Sequence, residues 1–152
     1  MSANPSVLIS AFGDEAANSK TAIEQLSVLA ACGLEWFTPR FIDVGIESPT
    51  GEIGHVVDLK KPQLRRFKKM IDNYGFGVTS IGGRFGKTKL QDTDDGSHNQ
   101  FVPIKRLLSG ELANTIQAAV ELDAWLARIF SFYHPRGTDA SDHITQSVDW
   151  LG

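Results

Sequence analysis

Residues 7–39 read VLISAFGDEAANSKTAIEQLSVLAACGLEWFTP and contain one complete strand-helix-strand pattern. Short apolar runs at residues 7–12 and 34–38 predict two buried strands. Between the two runs, apolar residues recur on one helical face, at Ala22, Ile23, Leu26, Leu29 and Ala30. This unit predicts two parallel strands joined by a helical crossover.

Capping residues mark the ends of the first two predicted helices. Thr21 and Glu24 have the spacing of an N-terminal capping box, and Gly33 stands where a glycine commonly ends a helix. In the second unit, Pro62 suits the first turn of a helix and Gly75 its end. Both helices are therefore predicted to end at a glycine that comes directly before the next predicted strand.

The same pattern recurs through the rest of the chain. Apolar runs predict a third strand at residues 76–81 and a fourth at residues 126–133. The second helix is predicted from Leu64, Phe67, Ile71 and Tyr74, and the third from Leu112, Ile116, Ala119 and Val120. A last helix is predicted to start near residues 139–141 and to carry Ile144, Val148 and Leu151. The order β-α-β-α-β-α-β-α predicts a parallel sheet with right-handed helical crossovers.

Two architectures of the α/β class fit this order. The favoured one is a half barrel: a single domain over residues 1–152 with the first four βα units of a (β/α)8 TIM-barrel type, truncated after the fourth. The alternative is a four-stranded doubly wound α/β domain. A half barrel has open sheet edges, so it predicts exposed apolar side chains at the outer strands and self-association through those edges.

Composition excludes several classes of protein. The 152 residues are 41% apolar and carry a formal net charge of −3, which gives no basic surface for nucleic acid. No apolar run has the roughly 18 residues that a membrane span requires. Cys32 is the only cysteine, and the first residues lack a signal-peptide pattern, so a cytoplasmic protein is predicted.

Candidate site residues follow the predicted strands, where the carboxyl ends of parallel strands meet at one rim. Glu15 and His134 are the catalytic candidates. Glu15 could transfer a proton or hydrogen-bond a sugar hydroxyl, and His134 could act as acid or base, hold a substrate oxygen or bind a metal. The candidates for substrate contacts are Arg40, Gly82, Lys87 and Arg136. Each residue also has a purely structural interpretation. Glu15 suits a helix N-terminus, Arg40 an exposed loop, the glycine-rich turn after the third strand a flexible connection, and His134 a hydrogen bond to the backbone.

Several stretches resemble the sugar phosphate isomerase/epimerase family of xylose isomerase-like TIM barrels. They are ISAFGDE at residues 9–15, YGFGVTSIG at residues 74–82 and FSFYHPRG at residues 130–137, with Asp94-Asp95-Gly96 and His98-Asn99 in support. The resemblance implies an isomerase or epimerase that acts on a small sugar or sugar phosphate by metal-assisted proton transfer next to a carbonyl. The alternative is a non-catalytic half-barrel fragment or interaction module.

The resemblance also implies a cofactor. Family members use a divalent metal (Mn, Mg, Zn or Co), whose ligands lie mostly on strands five to eight, for which this chain has no matching stretch. No metal ligand is therefore predicted among its residues. The chain is expected to supply the loops that bind the substrate.

Overall fold

Strands and helices alternate along the chain in the computed structural model, which describes residues 7–152. The elements are β1 (Ser10–Phe12), α1 (Gly13–Ala16), α2 (Ala22–Ala31), β2 (Trp36–Thr38), β3 (Phe41–Asp43), β4 (Ile53–His55), α3 (Lys61–Asn73), β5 (Gly77–Val78), β6 (Ser80–Ile81), α4 (Ile104–Leu107), α5 (Ala113–Glu121), β7 (Leu126–Ala127) and α6 (Ile144–Leu151). A π-helical turn at Leu108–Leu112 joins α4 to α5, and 3-10 turns lie at Val56–Asp58 and Ala140–His143. The fold is mixed α/β, which confirms the predicted class. None of the helices within residues 7–152 has the length and apolar character needed to cross a membrane.

The parallel strands pair in the order in which they occur along the chain. Strand β2 pairs with β1 on one side and with β5 on the other, and β6 pairs with β7. Only Thr79 separates β5 from β6, so each strand segment of the chain lies beside the next one. All of these pairings are parallel, as the helical crossovers require.

The main core lies between these strands and three helices. Helix α3 contacts both α2 and α5, so the three helices lie side by side. Phe37 of β2 is fully buried and meets Phe67 of α3 edge to face, with ring centroids 6.2 Å apart. Leu26 of α2 and Leu64 of α3 are also fully buried in this core. Burial of such side chains provides the main driving force for folding, about 1.5–3 kcal/mol each.

The observed strands are shorter than the predicted ones, and the fourth prediction is wrong beyond Ala127. After β7 the backbone turns to the loop that follows β6: the Phe130 amide donates to the Phe85 carbonyl at 2.8 Å. The Tyr133 amide likewise donates to the Thr88 carbonyl at 2.9 Å. The apolar side chains of residues 130–133 therefore pack against a loop, and Phe132 joins a second small core with Phe85.

The predicted apolar faces of the last two helices are also partly wrong. Ile116 and Val120 of α5 are 54% and 69% exposed, because α5 turns Thr115 and Ala118 into the core. In α6, the predicted face is exposed as well: Ile144, Val148 and Leu151. Exposed apolar side chains also lie at both outer strands, at Ile9 beside β1 and at Leu126 in β7.

The predicted cap of α2 is confirmed in part. The Thr21 hydroxyl accepts a hydrogen bond from the Glu24 amide at 3.2 Å. The Glu24 carboxylate accepts from the Ser19 amide at 2.7 Å, where a standard capping box would use the Thr21 amide. Gly33 has a φ of +72° after the helix, as a C-terminal glycine should.

An antiparallel hairpin, β3–β4, is absent from the predicted pattern. Phe41 pairs with His55 and Asp43 with Ile53. The Asp43 carboxylate closes the connection between the strands by accepting from the backbone amides of Gly45, Thr50 and Gly51. Each of these strands has only three residues, so periodicity alone does not reveal them.

His55 is buried where this hairpin meets the main core. The residue is only 4% exposed, and its Nδ1 accepts a hydrogen bond from the Val57 amide at 3.3 Å. The ring packs edge-on against Phe41, with centroids 5.1 Å apart. Burial, with a smaller effect of the Arg84 charge, lowers the pKa of His55 from 6.5 to about 4. The imidazole is therefore neutral in the folded protein at neutral pH.

We expect this buried imidazole to make the fold sensitive to acid. The folded-state pKa lies below the unfolded value, so the unfolded chain takes up the proton first as the pH falls. The free energy of unfolding should drop by about 2 kcal/mol from this group between pH 7 and pH 5. The measurement is urea unfolding of the parent protein and of His55→Asn, whose amide oxygen can still accept from the Val57 amide. The parent should lose more stability than the variant over this range, and equal losses in the two proteins would contradict the prediction.

Candidate functional site

The carboxyl ends of the parallel strands meet at one edge, and polar residues follow them there. Glu15 lies in α1, directly after β1, and Arg40 follows β2. Gly82 follows β6, and its amide donates to the Pro39 carbonyl at 3.0 Å, which places the turn after β6 beside the turn after β2. A Cβ at position 82 would lie 3.0 Å from the Cβ of Arg40, so a glycine permits this close approach.

Arg40 joins two carboxylates at this edge. Its Nη2 donates to Asp14 Oδ2 at 2.8 Å and to Glu15 Oε1 at 2.9 Å. The Asp14 side chain is only 2% exposed, whereas that of Glu15 is 62% exposed. The hydrogen bond that Arg40 donates to Asp14 raises the pKa of Arg40 above its usual value. The structure therefore brings together Glu15 and Arg40, but the charge of Arg40 is already balanced by two acids.

A row of cations and aromatic rings continues along the edge. The guanidinium carbon of Arg40 lies 4.7 Å from the centroid of the Phe12 ring, and that of Arg128 lies 5.3 Å from the same ring. Arg128 also lies 4.9 Å from the centroid of Phe130, and the Lys87 ammonium lies 5.7 Å from it. We call these five residues, together with Glu15, the rim. Cations at such distances from a ring are attracted by its electron-rich face.

Arg128 is the rim residue that sequence reasoning missed. A predicted strand over residues 126–133 places Arg128 inside the strand, whereas the observed strand ends at Ala127 and leaves Arg128 at its carboxyl end. Burial first, and then the positive charge of Arg40, lower the pKa of Arg128 from its usual value. A signal was available in the sequence, because a cation in an otherwise apolar run needs a special environment.

The glycine-rich turn after β6 carries a second compensated arginine. Arg84 is paired with Asp58 at 2.6 Å and with Glu111 at 2.8 Å. Asp58 ends the 3-10 turn after the hairpin, and Glu111 lies in the π-helical turn before α5. Arg84 therefore connects three separate segments around the rim.

Hydroxyl groups line the strand face opposite the core, next to the rim. Thr38 Oγ1 lies 2.8 Å from Ser80 Oγ and 3.2 Å from Thr79 Oγ1, and Ser10 Oγ lies 2.7 Å from Thr79 Oγ1. These residues line an open cavity of about 440 Å³, together with Phe12 of the rim and the apolar residues Leu8, Ala11, Trp125 and Leu126. A cavity of this size suits a small molecule, with the hydroxyl groups as its polar contacts.

His134 and Arg136 belong to a different group of residues. His134 Nδ1 lies 3.1 Å from the Pro135 carbonyl, and its ring stacks on that of His143 with centroids 5.8 Å apart. The Arg136 amide donates to Asp95 Oδ2 at 3.0 Å. Among the contacts of residues 7–152, none joins the side chain of His134 or Arg136 to the rim. The cause is the early end of β7, which leaves both residues well beyond the strand.

The residues present do not fit the divalent metal that the family resemblance implies. In the part of the chain that the structure describes, no three His, Cys, Asp or Glu side chains are grouped so that they could hold a metal ion. Glu15 of the rim and its neighbour Asp14 are the adjacent pair of acids there, and both are bound to Arg40. We therefore derive no chemical step through a metal.

Gly86 allows the turn after β6 to approach the residues beyond β7. Its φ is +78°, and a Cβ at this position would overlap the carbonyl oxygen of Phe130. Gly96 offers a matched control, because its φ of +67° is similar but a Cβ there would meet nothing within 4 Å.

We expect Gly86→Ala to destabilise the protein by about 1–3 kcal/mol more than Gly96→Ala. Both variants place an alanine at positive φ, but only Gly86→Ala also forces the turn away from Phe130. Urea unfolding of the two variants measures the difference. Equal losses would mean that the close approach at Phe130 contributes nothing.

No protein-family model, no curated protein and no solved structure matches the chain. A proposal for its function therefore depends on the rim and on the cavity beside it.

Proposed function

We propose that the rim binds a small sugar or sugar phosphate and forms the substrate-binding part of an isomerase or epimerase. The observation that supports this most is the juxtaposition of a carboxylate, Glu15, with the cations Arg40, Lys87 and Arg128 beside a cavity of about 440 Å³ that carries hydroxyl groups on one wall. Hydroxyl side chains can exchange hydrogen bonds with sugar hydroxyls, and cations suit the phosphate.

The architecture that we propose for the protein is the first half of a (β/α)8 barrel. Parallel pairing in chain order supports it, as does the position of α2, α3 and α5 side by side along the strands. A doubly wound sheet would instead distribute its helices over both faces. In barrels of this type, the substrate site lies at the carboxyl ends of the strands, which is where the rim lies.

The reaction proposed is the movement of a hydrogen next to a carbonyl. Such a step needs a base for the proton and hydrogen-bond donors or positive charge to stabilise the enediolate that forms. Glu15 is the exposed carboxylate of the rim and is held in position by Arg40 at 2.9 Å, so it takes the role of the base. The hydroxyl groups of Thr38 and Ser80 take the role of the donors to the enediolate. Arg128 and Lys87 hold the phosphate. His134 has no role in this proposal, because its contacts lie elsewhere.

The proposal predicts exchange of the proton next to the carbonyl of a bound aldose phosphate. In D2O, with and without added divalent ions, the protein should speed the loss of that proton's NMR signal from a pentose phosphate. Glu15→Gln should reduce the rate by at least about a hundredfold, because it removes the general base. The control is Glu35→Gln, an exposed acid that precedes β2 and so lies at the opposite end of the strands.

Two outcomes count against this proposal. A rate no higher than that without protein would remove the catalytic role, and a rate equally reduced in both variants would remove Glu15 as the base. Binding of the sugar phosphate without exchange would keep the rim as a binding site and remove its catalytic role.

That second candidate is a non-catalytic module that associates through its open edge. A groove beside α5 and β7 exposes apolar side chains, namely Ile116, Val120, Trp125 and Leu126. Their exposed fractions range from 54% to 69%, and apolar groups exposed together commonly mark an interaction surface.

Sedimentation equilibrium tests this candidate. The protein should form dimers or larger species, and Val120→Glu should weaken their association at least about tenfold by placing a charge in the groove. Ile53→Glu is the control, since Ile53 is an exposed apolar residue of the hairpin. A monomer at all concentrations would contradict the prediction.

A further inference from the structure

The arginines around the rim differ in whether carboxylates already balance their charge. Arg40 has Asp14 and Glu15 as partners, and Arg84 has Asp58 and Glu111. A guanidinium with two carboxylates in contact has most of its directional donors occupied. Neither of these arginines is free to bind a further anion without releasing an acid.

Arg128 is different. Among residues 7–152 it forms no ion pair, and its donors reach only the carbonyl oxygens of Gly82 and Gly83, at 3.3–3.4 Å. These bonds are at the long end of the range and go to uncharged acceptors. The side chain is half-buried, and burial lowers its pKa. A cation removed from water without a carboxylate partner is costly, and a bound anion would offset that cost.

The aromatic rings on either side hold Arg128 in position. Its guanidinium carbon lies 5.3 Å from the centroid of Phe12 and 4.9 Å from that of Phe130. Two rings that flank one guanidinium restrict its rotamers, so little entropy is lost when a ligand binds. The site is therefore preorganised before an anion arrives.

Lys87 adds a second uncompensated charge nearby. Its ammonium lies 5.7 Å from the centroid of Phe130, the ring that Arg128 also contacts. The side chain is exposed and forms no ion pair within the described residues. Phe12, the other neighbour of Arg128, lines the cavity that holds the hydroxyl groups of Ser10 and Thr38. An anion at Arg128 would thus lie next to the cavity that contains these hydroxyl groups.

We propose that Arg128 is the anchor of a phosphate-binding subsite, that Lys87 supplies its second positive charge, and that Arg40 is a positioning residue for Asp14 and Glu15. This inference deepens the proposed function, on which it depends for the sugar that carries the phosphate. It replaces the expectation from sequence that Arg40 makes the phosphate contact. The ligand class is a phosphate monoester with a small polyhydroxylated body.

Binding of inorganic phosphate tests the subsite without the sugar. Titration followed by 31P NMR should show saturable binding to the parent protein. Arg128→Gln should weaken it at least about tenfold, because a charge-assisted hydrogen bond is lost. Arg128→Lys should restore part of the affinity, and Lys87→Gln should weaken binding severalfold. The matched control is Arg106→Gln, which removes the same charge from an exposed residue of α4.

Several results would overturn the subsite. They are no phosphate binding by the parent protein, an equal loss in Arg106→Gln and Arg128→Gln, or a greater loss in Arg40→Gln than in Arg128→Gln when both of these variants are folded. Urea unfolding shows whether each variant still folds. If Arg128→Gln does not fold, Arg128→Lys and the exposed Lys87→Gln decide, and unchanged phosphate affinity in both overturns the proposal.

The same titrations separate this inference from the proposed function. A pentose phosphate that binds no more tightly than inorganic phosphate, with both dependent on Arg128, would support the subsite and remove the sugar specificity. A free pentose that binds to the parent and to Arg128→Gln alike, while phosphate binds to neither, would support the sugar site and overturn the subsite.

Discussion

Alternation of side chains along the parallel strands is the constraint on which the other features depend. Successive side chains of a strand point to opposite faces. In β2, Phe37 therefore enters the core while Thr38 faces the cavity, and in β6 Ile81 enters the core while Ser80 faces the cavity. A shift of register by one residue would exchange the apolar and hydroxyl faces. The fully buried Phe37 makes such a shift unfavourable by several kcal/mol.

Electrostatic compensation then decides what each charged group at the rim can do. The carboxylate of Asp14 is almost completely buried, and removal of its partner Arg40 would leave an unpaired buried charge, at a cost of about 3–5 kcal/mol. Arg40 therefore stabilises the fold by balancing the buried charge of Asp14. Arg128 balances no carboxylate, since its contacts are two aromatic rings and peptide carbonyls. Arg40 is therefore a structural residue, whereas Arg128 is available to a ligand, because only Arg40 has carboxylate partners.

Contacts between segments distant in sequence hold the rim in shape. Arg84 connects the turn after the hairpin to the π-helical turn before α5, through Asp58 and Glu111. The positive φ of Gly86 lets the same loop reach the residues after β7. These contacts set the position of Phe130, and Phe130 in turn flanks Arg128. The geometry of the candidate site is consequently a property of the loops as much as of the strands.

Local patterns in the sequence determined the order of the parallel strands and of their crossover helices, part of the cap of α2 and most apolar positions of the main core, because period and capping depend on neighbouring residues. They also placed Glu15 and Arg40 at one edge, since parallel strands align their carboxyl ends. Only the tertiary structure decided where β7 ends, because Phe130, Phe132 and Tyr133 suit a strand or a packed loop equally, and a distant loop competes for the backbone hydrogen bonds of this segment. That one boundary brought Arg128 to the rim and left His134 outside it. Which arginines are compensated was likewise decided by tertiary contacts, because ion pairs such as those of Arg40 and Arg84 join residues that no short-range pattern connects.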